Sequence, residues 1–229
     1  MSKIDLSVII PVYNENATLE ELLKRVKASS VVKEIVIIDD FSTDGSRETL
    51  KSLKDPVVKV FFQPENKGKG AAIKLGLENV TGNYCLVQDA DLEYDPKDYS
   101  RLVEALNGET EVIFGSRFQN QRPQMMKHSY YANMLLTALT NLLFTANLTD
   151  MASCYKLIPT KILRGLDLKS NRFEIELEIT AKLLTKKVKI KEIPISFVGR
   201  SYNQGKKITW WDGIKDLWLL FKFRLLGFN

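Results

Sequence analysis

The sequence predicts an α/β fold, a mostly parallel sheet flanked by helices, on three observations. Short β-rich runs alternate with helical patterns through the first half, the order that gives parallel strands joined by right-handed crossovers. Carboxylates gather where those runs end, at Asp39-Asp40 and at Asp89-Ala90-Asp91, and the crevice beyond strand C-termini is where open α/β sheets bind ligands. The chain, 229 residues and 45% hydrophobic, is long enough to bury one full core, and no Gly/Ser linker or internal repeat divides it.

Strands are expected at Leu6–Ile10, Ile35–Ile38, Val57–Phe62, Tyr84–Gln88 and Val112–Gly115, each a short run of apolar, β-branched or aromatic residues. Helical periodicity lies between them, near Thr18–Ala28, Ser46–Lys54, Gly70–Glu78 and Pro96–Leu106. Ser42 or Thr43 can cap the second helix, with Asp44 adding negative charge at its N-terminus. The second half changes character. Met125–Ala146 reads as a strongly apolar helix, Phe173–Thr185 as another, Val188–Ile193 as a strand, and Trp210–Phe228 as an amphipathic C-terminal helix. The expected organisation is one domain over 1–208 with the helix 209–229 appended.

Composition excludes several classes. Cys85 and Cys154 sit far apart in apolar surroundings and read as reduced core residues. The single His128 offers no catalytic dyad, and neither cysteine has a histidine near it. No leader is expected, since Asp5 and a strand begin at once, and no run reaches the length of a transmembrane span. The net charge is +5, with Arg200, Lys206, Lys207, Lys215, Lys222 and Arg224 among aromatics near the C-terminus. Such a tail suits nucleic acid or an anionic membrane surface. The membrane is favoured, with Trp210, Trp211 and Trp218 at headgroup level.

Asp89 and Asp91 carry the strongest chemical signal. Two carboxylates spaced i, i+2 near a strand end can approach one hard divalent cation, which usually keeps substrate phosphates as further ligands. That points to a phosphorylated donor and metal-assisted departure of a phosphate leaving group. After the first strand come Pro11, Tyr13 and Glu15; Tyr13 can stack on a base and Glu15 can accept from a ribose or base edge, although an ordinary strand-to-helix turn explains them too. Asp40 can accept hydrogen bonds from a uracil or guanine edge, and helix capping leaves it unexplained. Asn66-Lys67-Gly68-Lys69-Gly70 opens a helix with glycines that let backbone approach a ligand and amides that favour anions. It lacks the Walker order. Arg117, just past the strand Val112–Gly115, can clamp phosphate or pair with a nearby Asp. The loop from Arg200 to Lys207 can close over a second phosphate or simply be a solvated basic loop.

These pieces, in this order, resemble a family-2 glycosyltransferase with the GT-A fold, and within it the dolichol-phosphate mannosyltransferase and polyprenyl-phosphate glycosyltransferase branch. The match spans about 1–208. Besides the segments above it includes Gly115-Ser116-Arg117-Phe118, Thr149-Asp150, Ser153-Cys154-Tyr155-Lys156 and Phe173-Glu174-Ile175-Glu176. The resemblance implies a donor side of Pro11, Tyr13, Glu15, Asp40, Lys69, Asp89, Ala90 and Asp91. It implies Mg²⁺ or Mn²⁺ on Asp89 and Asp91, with Glu93, where the family often has Gln, as a further ligand. Arg117, Arg200 and Lys206 would grip the phosphate of a lipid acceptor, and Asp150 and Glu176 fall at acceptor-side positions. The chain departs from the family at Asn203 and Gly205-Lys206, and lacks the C-terminal transmembrane helices of many relatives.

The implied reaction is inverting transfer of a hexose from a GDP-mannose- or UDP-glucose-type donor to a polyprenyl or dolichyl phosphate. A phosphate monoester is already anionic near neutral pH and needs no strong base. The expected setting is the cytoplasmic face of a membrane, peripherally bound, without nucleic acid and with a separate membrane-spanning partner or a homo-oligomer as options. Two readings compete. Transfer to a hydroxyl acceptor would need a base, for which Glu176 and Asp150 are candidates; a silent scaffold that binds nucleotide sugar would need no catalytic set.

Overall fold

The structure is a computed structural model that describes residues 4–108, 112–119, 122–200, 210–225 and 227. Lys206 and most of the loop that follows Arg200 lie outside the described residues, as do the side chains of Trp210 and Trp211.

Seven strands form one sheet: β1 (Leu6–Val12), β2 (Val32–Asp39), β3 (Val58–Phe62), β4 (Tyr84–Val87), β5 (Val112–Ser116), β6 (Lys156–Pro159) and β7 (Ile190–Pro194). Their spatial order is β3-β2-β1-β4-β6-β5-β7. The pairs β1–β2, β1–β4, β2–β3 and β5–β7 are parallel. Strand β6 is antiparallel to both neighbours, β4 and β5, and the sequence pattern had not revealed it.

Helices α1 (Asn16–Lys27), α2 (Ser46–Ser52), α3 (Lys69–Asn79) and α4 (Asp98–Glu104) fall where periodicity placed them, and α6 (Thr160–Arg164) is an addition. The long helix α5 spans Lys127–Phe144, α7 spans Ile175–Thr185 and α8 spans Trp210–Leu225. Strands β1, β2 and β4 are buried on both faces, as continuous apolar runs in a parallel sheet must be. Gly76 explains how closely α3 lies on the sheet: a Cβ there would come 2.5 Å from Ile9 Cγ2.

Two local expectations are corrected. Pro11 does not end the ladder, because β1 keeps register with β2 from Pro11–Ile38 to Val12–Asp39. Pairing with β4 stops at Ile9–Val87, so the missing N–H of Pro11 leaves no partner strand short of a donor. At α2 the cap position is Gly45, with φ +98°, rather than Ser42 or Thr43. Asp44 Oδ1 accepts from the N–H of Ser46 at 3.0 Å, while Ser42 Oγ accepts from the N–H of Asn14 at 3.0 Å.

The chain runs outward from β1 to β2 on one side and to β4 on the other, so strand order reverses at the β1/β4 boundary. That topology leaves a crevice beyond the strand C-termini. Helix α8 packs on α5 and α7 and buries Leu220 and Phe223. Its outer face exposes Trp218, Phe221 and Leu225, and α5 exposes Tyr131, Leu135 and Leu142 beside it. Among the described residues no helix is long and apolar enough to cross a membrane. Cys85 and Cys154 are free and buried.

Candidate active site

A cleft of about 320 Å³ opens at that crevice. Its walls include Pro11, Tyr13, Glu15, Asp40, Lys69, Asp89, Ala90, Asp91, Glu93 and Arg200, so the structure gathers every donor-side residue expected from the sequence. Arg117, Asp150 and Glu176 are absent from this lining.

The floor is the turn after β4. Gln88, fully buried, accepts hydrogen bonds from the hydroxyls of Tyr99 (2.5 Å) and Tyr155 (2.6 Å) and donates to the Asp89 carbonyl (2.8 Å). From α1, Thr18 Oγ1 donates to the Ala90 carbonyl at 2.6 Å. Leu92 takes φ +62°, a conformation uncommon for a branched side chain that persists only where the surroundings enforce it. The two aspartates are therefore presented by a braced turn.

Charge is crowded around it. Lys69, at the start of α3, reaches Asp89 Oδ1 at 2.6 Å and Glu176 Oε1 at 3.2 Å, and Lys156 reaches Glu176 Oε2 at 2.7 Å. Burial opposes the charge of Lys69, yet Asp89 and Glu176 hold its pKa well above the usual range. Arg200 forks onto Glu15, NH1 to Oε2 at 3.0 Å and NH2 to Oε1 at 3.1 Å, and also meets Asp91 Oδ2 at 3.1 Å. Even so, burial together with the charges of Asp89 and Glu93 raises Asp91 to about 7. Three carboxylates held this close want more positive charge than the protein supplies. Among the described residues no three acidic, His or Cys groups form a ready-made cation cage. A diphosphate-bound cation needs only one or two carboxylates from the protein, and Asp89 and Asp91 fit that demand. Glu93 has structural work as well: its carbonyl accepts from Val198 N at 2.9 Å and its Oε1 accepts from the N–H of Arg200.

Asp40, also in the cleft lining, lies just past β2. Its Oδ1 accepts from Gln63 Nε2 (2.8 Å) and the N–H of Lys67 (2.8 Å), and its Oδ2 from the N–H of Gly68 (2.8 Å). Burial raises its pKa, an effect that the two backbone N–H groups and Arg172 oppose. Tyr13 stands at the rim, 37% exposed.

The expected phosphate clamp at Arg117 is not what the structure presents. Arg117 is buried, and its guanidinium is taken by the fully buried Asp150, Nε to Oδ2 at 2.7 Å and NH2 to Oδ1 at 2.8 Å. Phe118 and Phe197 lie against it, with ring centroids 5.3 and 5.1 Å from the guanidinium carbon. Glu192, on β7, orients the pair by accepting from the N–H groups of Thr149 (2.6 Å) and Asp150 (2.9 Å). Asp150 is fully buried and takes three hydrogen bonds from Arg117, so its carboxylate is committed to that pair rather than presented to the cleft.

The cleft also contains Asn66 and Phe173, which the sequence motifs included without giving them a role, and Arg172, which the sequence reading passed over. Arg172 directly precedes the Phe173-Glu174-Ile175-Glu176 segment, the one signal that pointed there. Its loop is held from behind. Glu178 accepts from the N–H groups of Lys169 (2.9 Å) and Ser170 (2.7 Å), and Lys182 donates to the Asp167 carbonyl at 2.7 Å. In front, the Asn171 carbonyl accepts from the N–H of Ala71 at 3.0 Å. The glycines of α3 make that approach possible, since a Cβ on Gly70 would lie 2.5 Å from the Ser170 carbonyl oxygen.

Comparison with known proteins agrees with this architecture. The profile of glycosyl transferase family 2 matches residues 7–166. A dolichol-phosphate mannosyltransferase from Pyrococcus furiosus is 29% identical over 246 residues, covering 98% of this chain and 68% of that protein. An undecaprenyl-phosphate 4-deoxy-4-formamido-L-arabinose transferase from Pseudomonas aeruginosa is 40% identical over 127 residues, covering 52% of this chain and 37% of its own length. Glucosyl-3-phosphoglycerate synthase from Mycobacterium tuberculosis, solved with Mn²⁺, UDP and glucosyl-3-phosphoglycerate, superposes with a TM-score of 0.73 at 15% identity, over 99% of this chain and 81% of that one. This last likeness establishes the fold, GT-A.

Proposed function

The chain belongs to glycosyl transferase family 2, and from that premise we propose that it moves a hexose from a nucleoside diphosphate sugar to a polyprenyl phosphate, inverting the anomeric carbon. The observation that carries this reading is that one cleft is lined both by Tyr13 and Asp40, which can meet a nucleoside, and by the carboxylates Asp89 and Asp91. The names of the two relatives, both transferases acting on polyprenyl-type phosphates, support the choice of acceptor.

Asp89 and Asp91 would hold Mg²⁺ or Mn²⁺, which supplies positive charge to the departing nucleoside diphosphate. The remaining work belongs to the chain. Asp40 and Tyr13 hold the nucleoside, and the Lys69 ammonium sits beside Asp89 to meet diphosphate oxygens. Arg200 faces the acceptor. Among the described residues its buried Nε has no hydrogen-bond acceptor, a costly state that an incoming phosphate oxygen relieves. An acceptor phosphate attacks as an anion, so no residue has to remove a proton. That suits a site in which Asp150 is committed to Arg117 and Glu176 lies between Lys156 and Lys69, and it disfavours a hydroxyl acceptor. Arg117 becomes a positioning residue beneath the acceptor side. The exposed apolar faces of α5 and α8, with Lys222 and Arg224 nearby, lie on the membrane that carries the lipid.

The test is transfer of labelled sugar from GDP-mannose, UDP-glucose and UDP-N-acetylglucosamine into organic-extractable polyprenyl phosphate, with and without Mg²⁺ or Mn²⁺. Cation-dependent label in the organic phase is expected. Donor binding without such label would replace the acceptor by a hydroxyl compound, and absence of donor binding would overturn the reading altogether.

A further inference from the structure

The hydrogen bonds around Asp40 restrict which base this cleft accepts, an inference that rests on the reading of the cleft as a nucleotide-sugar site. A carboxylate offers about four lone-pair positions. Among the described residues three are filled from within the protein: Gln63 Nε2 and the Lys67 N–H fill both positions on Oδ1, and the Gly68 N–H fills one on Oδ2. One position, on Oδ2, is left for a ligand. The orientation of the Gln63 amide follows from the same network, since its oxygen would face a carboxylate whose other partners are all donors.

Guanine presents two adjacent donors on its pairing edge, N1–H and the N2 amino group, beside one carbonyl. Held against a carboxylate it calls for an open lone pair on each oxygen, and Oδ1 has none. Uracil presents one donor, N3–H, between two carbonyls. It therefore needs one acceptor flanked by donors.

Arg172 supplies such a donor. Its stem crosses directly over Gly68, the residue that holds Oδ2: a Cβ on Gly68 would come 2.9 Å from Arg172 Cγ. Arg172 lines the cleft, and its charge lies close enough to Asp40 to oppose the rise in its pKa. It forms no ion pair with any described carboxylate. The grip of Glu178 and Lys182 on residues 167–170 fixes the loop from which Arg172 reaches out, so the donor is set in place before a ligand arrives.

We propose that the donor base is uracil, with N3–H given to the last open lone pair of Asp40 and a carbonyl received by Arg172, so that the substrates are uridine diphosphate sugars. Discrimination of this kind is strong because the wrong base leaves buried polar groups unpaired.

Titration calorimetry on the full chain with Mn²⁺ tests it, using UDP, GDP and N3-methyl-UDP. UDP should bind at least about tenfold more tightly than either of the others, the effect of one unmade buried hydrogen bond. Arg172→Ala should weaken UDP by about tenfold and GDP far less, a change in ratio that a purely structural role for Arg172 would not produce. GDP binding as tightly as UDP, or N3-methyl-UDP matching UDP, overturns the assignment while leaving the transferase reading intact. Equal loss of UDP and GDP in Arg172→Ala removes Arg172 from base recognition. Binding of none of the three overturns both readings together.

Discussion

Replacing Asp150 by Ala separates a structural from a chemical role for the Arg117–Asp150 pair. The Asp150 carboxylate receives three hydrogen bonds from Arg117: from the backbone N–H at 3.0 Å, Nε at 2.7 Å and NH2 at 2.8 Å. Asp150 is fully buried, so its removal strands a desolvated guanidinium. Breaking a buried pair in this way costs about 3–5 kcal/mol. With an unfolding entropy of about 2.1 cal/mol/K per residue, a chain of 229 residues has roughly 0.5 kcal/mol/K in total. The melting temperature should then fall by about 6–10 °C, readable by differential scanning calorimetry or as a lowered urea midpoint. Asp150→Asn keeps the shape and one acceptor oxygen and should fall by a smaller amount. Both variants should still bind donor, because the cleft does not include the pair. An unchanged midpoint in Asp150→Ala would refute the argument that burial and pairing set the role of this residue. If sugar transfer vanished in the same unperturbed protein, Asp150 would return to candidacy as a base.

Three further outcomes follow from the same kind of reasoning. Glu34 is held down to about 2 against the cost of its burial, by Lys59, Ser7 and the N–H groups of Thr81 and Gly82. Its lowered folded pKa means a stabilisation that is present above pH 4.5, is lost as pH falls towards 2, and is missing from that limb of the pH–stability curve in Glu34→Gln; a curve unchanged by the substitution would exclude the effect. Gly70→Ala places a Cβ 2.5 Å from the Ser170 carbonyl oxygen and 2.8 Å from the Asn171 carbonyl carbon, so it should push the Arg172 loop outward and weaken nucleotide binding about tenfold, in line with an overpacking cost of about 1–3 kcal/mol; wild-type affinity would show the loop yields freely. Leu142→Glu with Trp218→Ala alters side chains that are 75% and 63% exposed, so sedimentation with anionic vesicles should drop while the melting temperature stays put, and unaltered sedimentation would remove these faces from membrane contact.

The parts of the site that were legible in the sequence share a physical cause. Carboxylates at the ends of buried strands, Asp40 and Asp89 among them, are expensive to desolvate, so finding them there already signals a ligand or a dedicated set of donors. Strand position also fixed where they would emerge, and the cleft gathers them as the topology requires. Cations resisted the same treatment. Arg117 does sit past a strand end, but its long side chain answers to Asp150, 33 residues further on, and no local pattern encodes that partner. Arg172 was invisible for the opposite reason. It stands on an irregular loop whose position depends on Glu178 and Lys182 gripping backbone atoms and on two glycines across the cleft, all nonlocal.

The missed strand β6 shows where pattern reading runs out. Lys156-Leu157-Ile158-Pro159 is four residues long, begins with a charge and ends with proline, so it lacks both alternation and length. It becomes a strand by pairing with β4 on one edge and β5 on the other, antiparallel to both. The consequence is chemical as well as architectural. By entering the sheet there, β6 buries Lys156 beside Glu176, which balances the charge next to Lys69 and leaves Lys69 turned to Asp89. A segment with no strand signature of its own thus sets the electrostatics beside Asp89 in the cleft, and the sequence motif Ser153-Cys154-Tyr155-Lys156 gains its physical meaning from that placement.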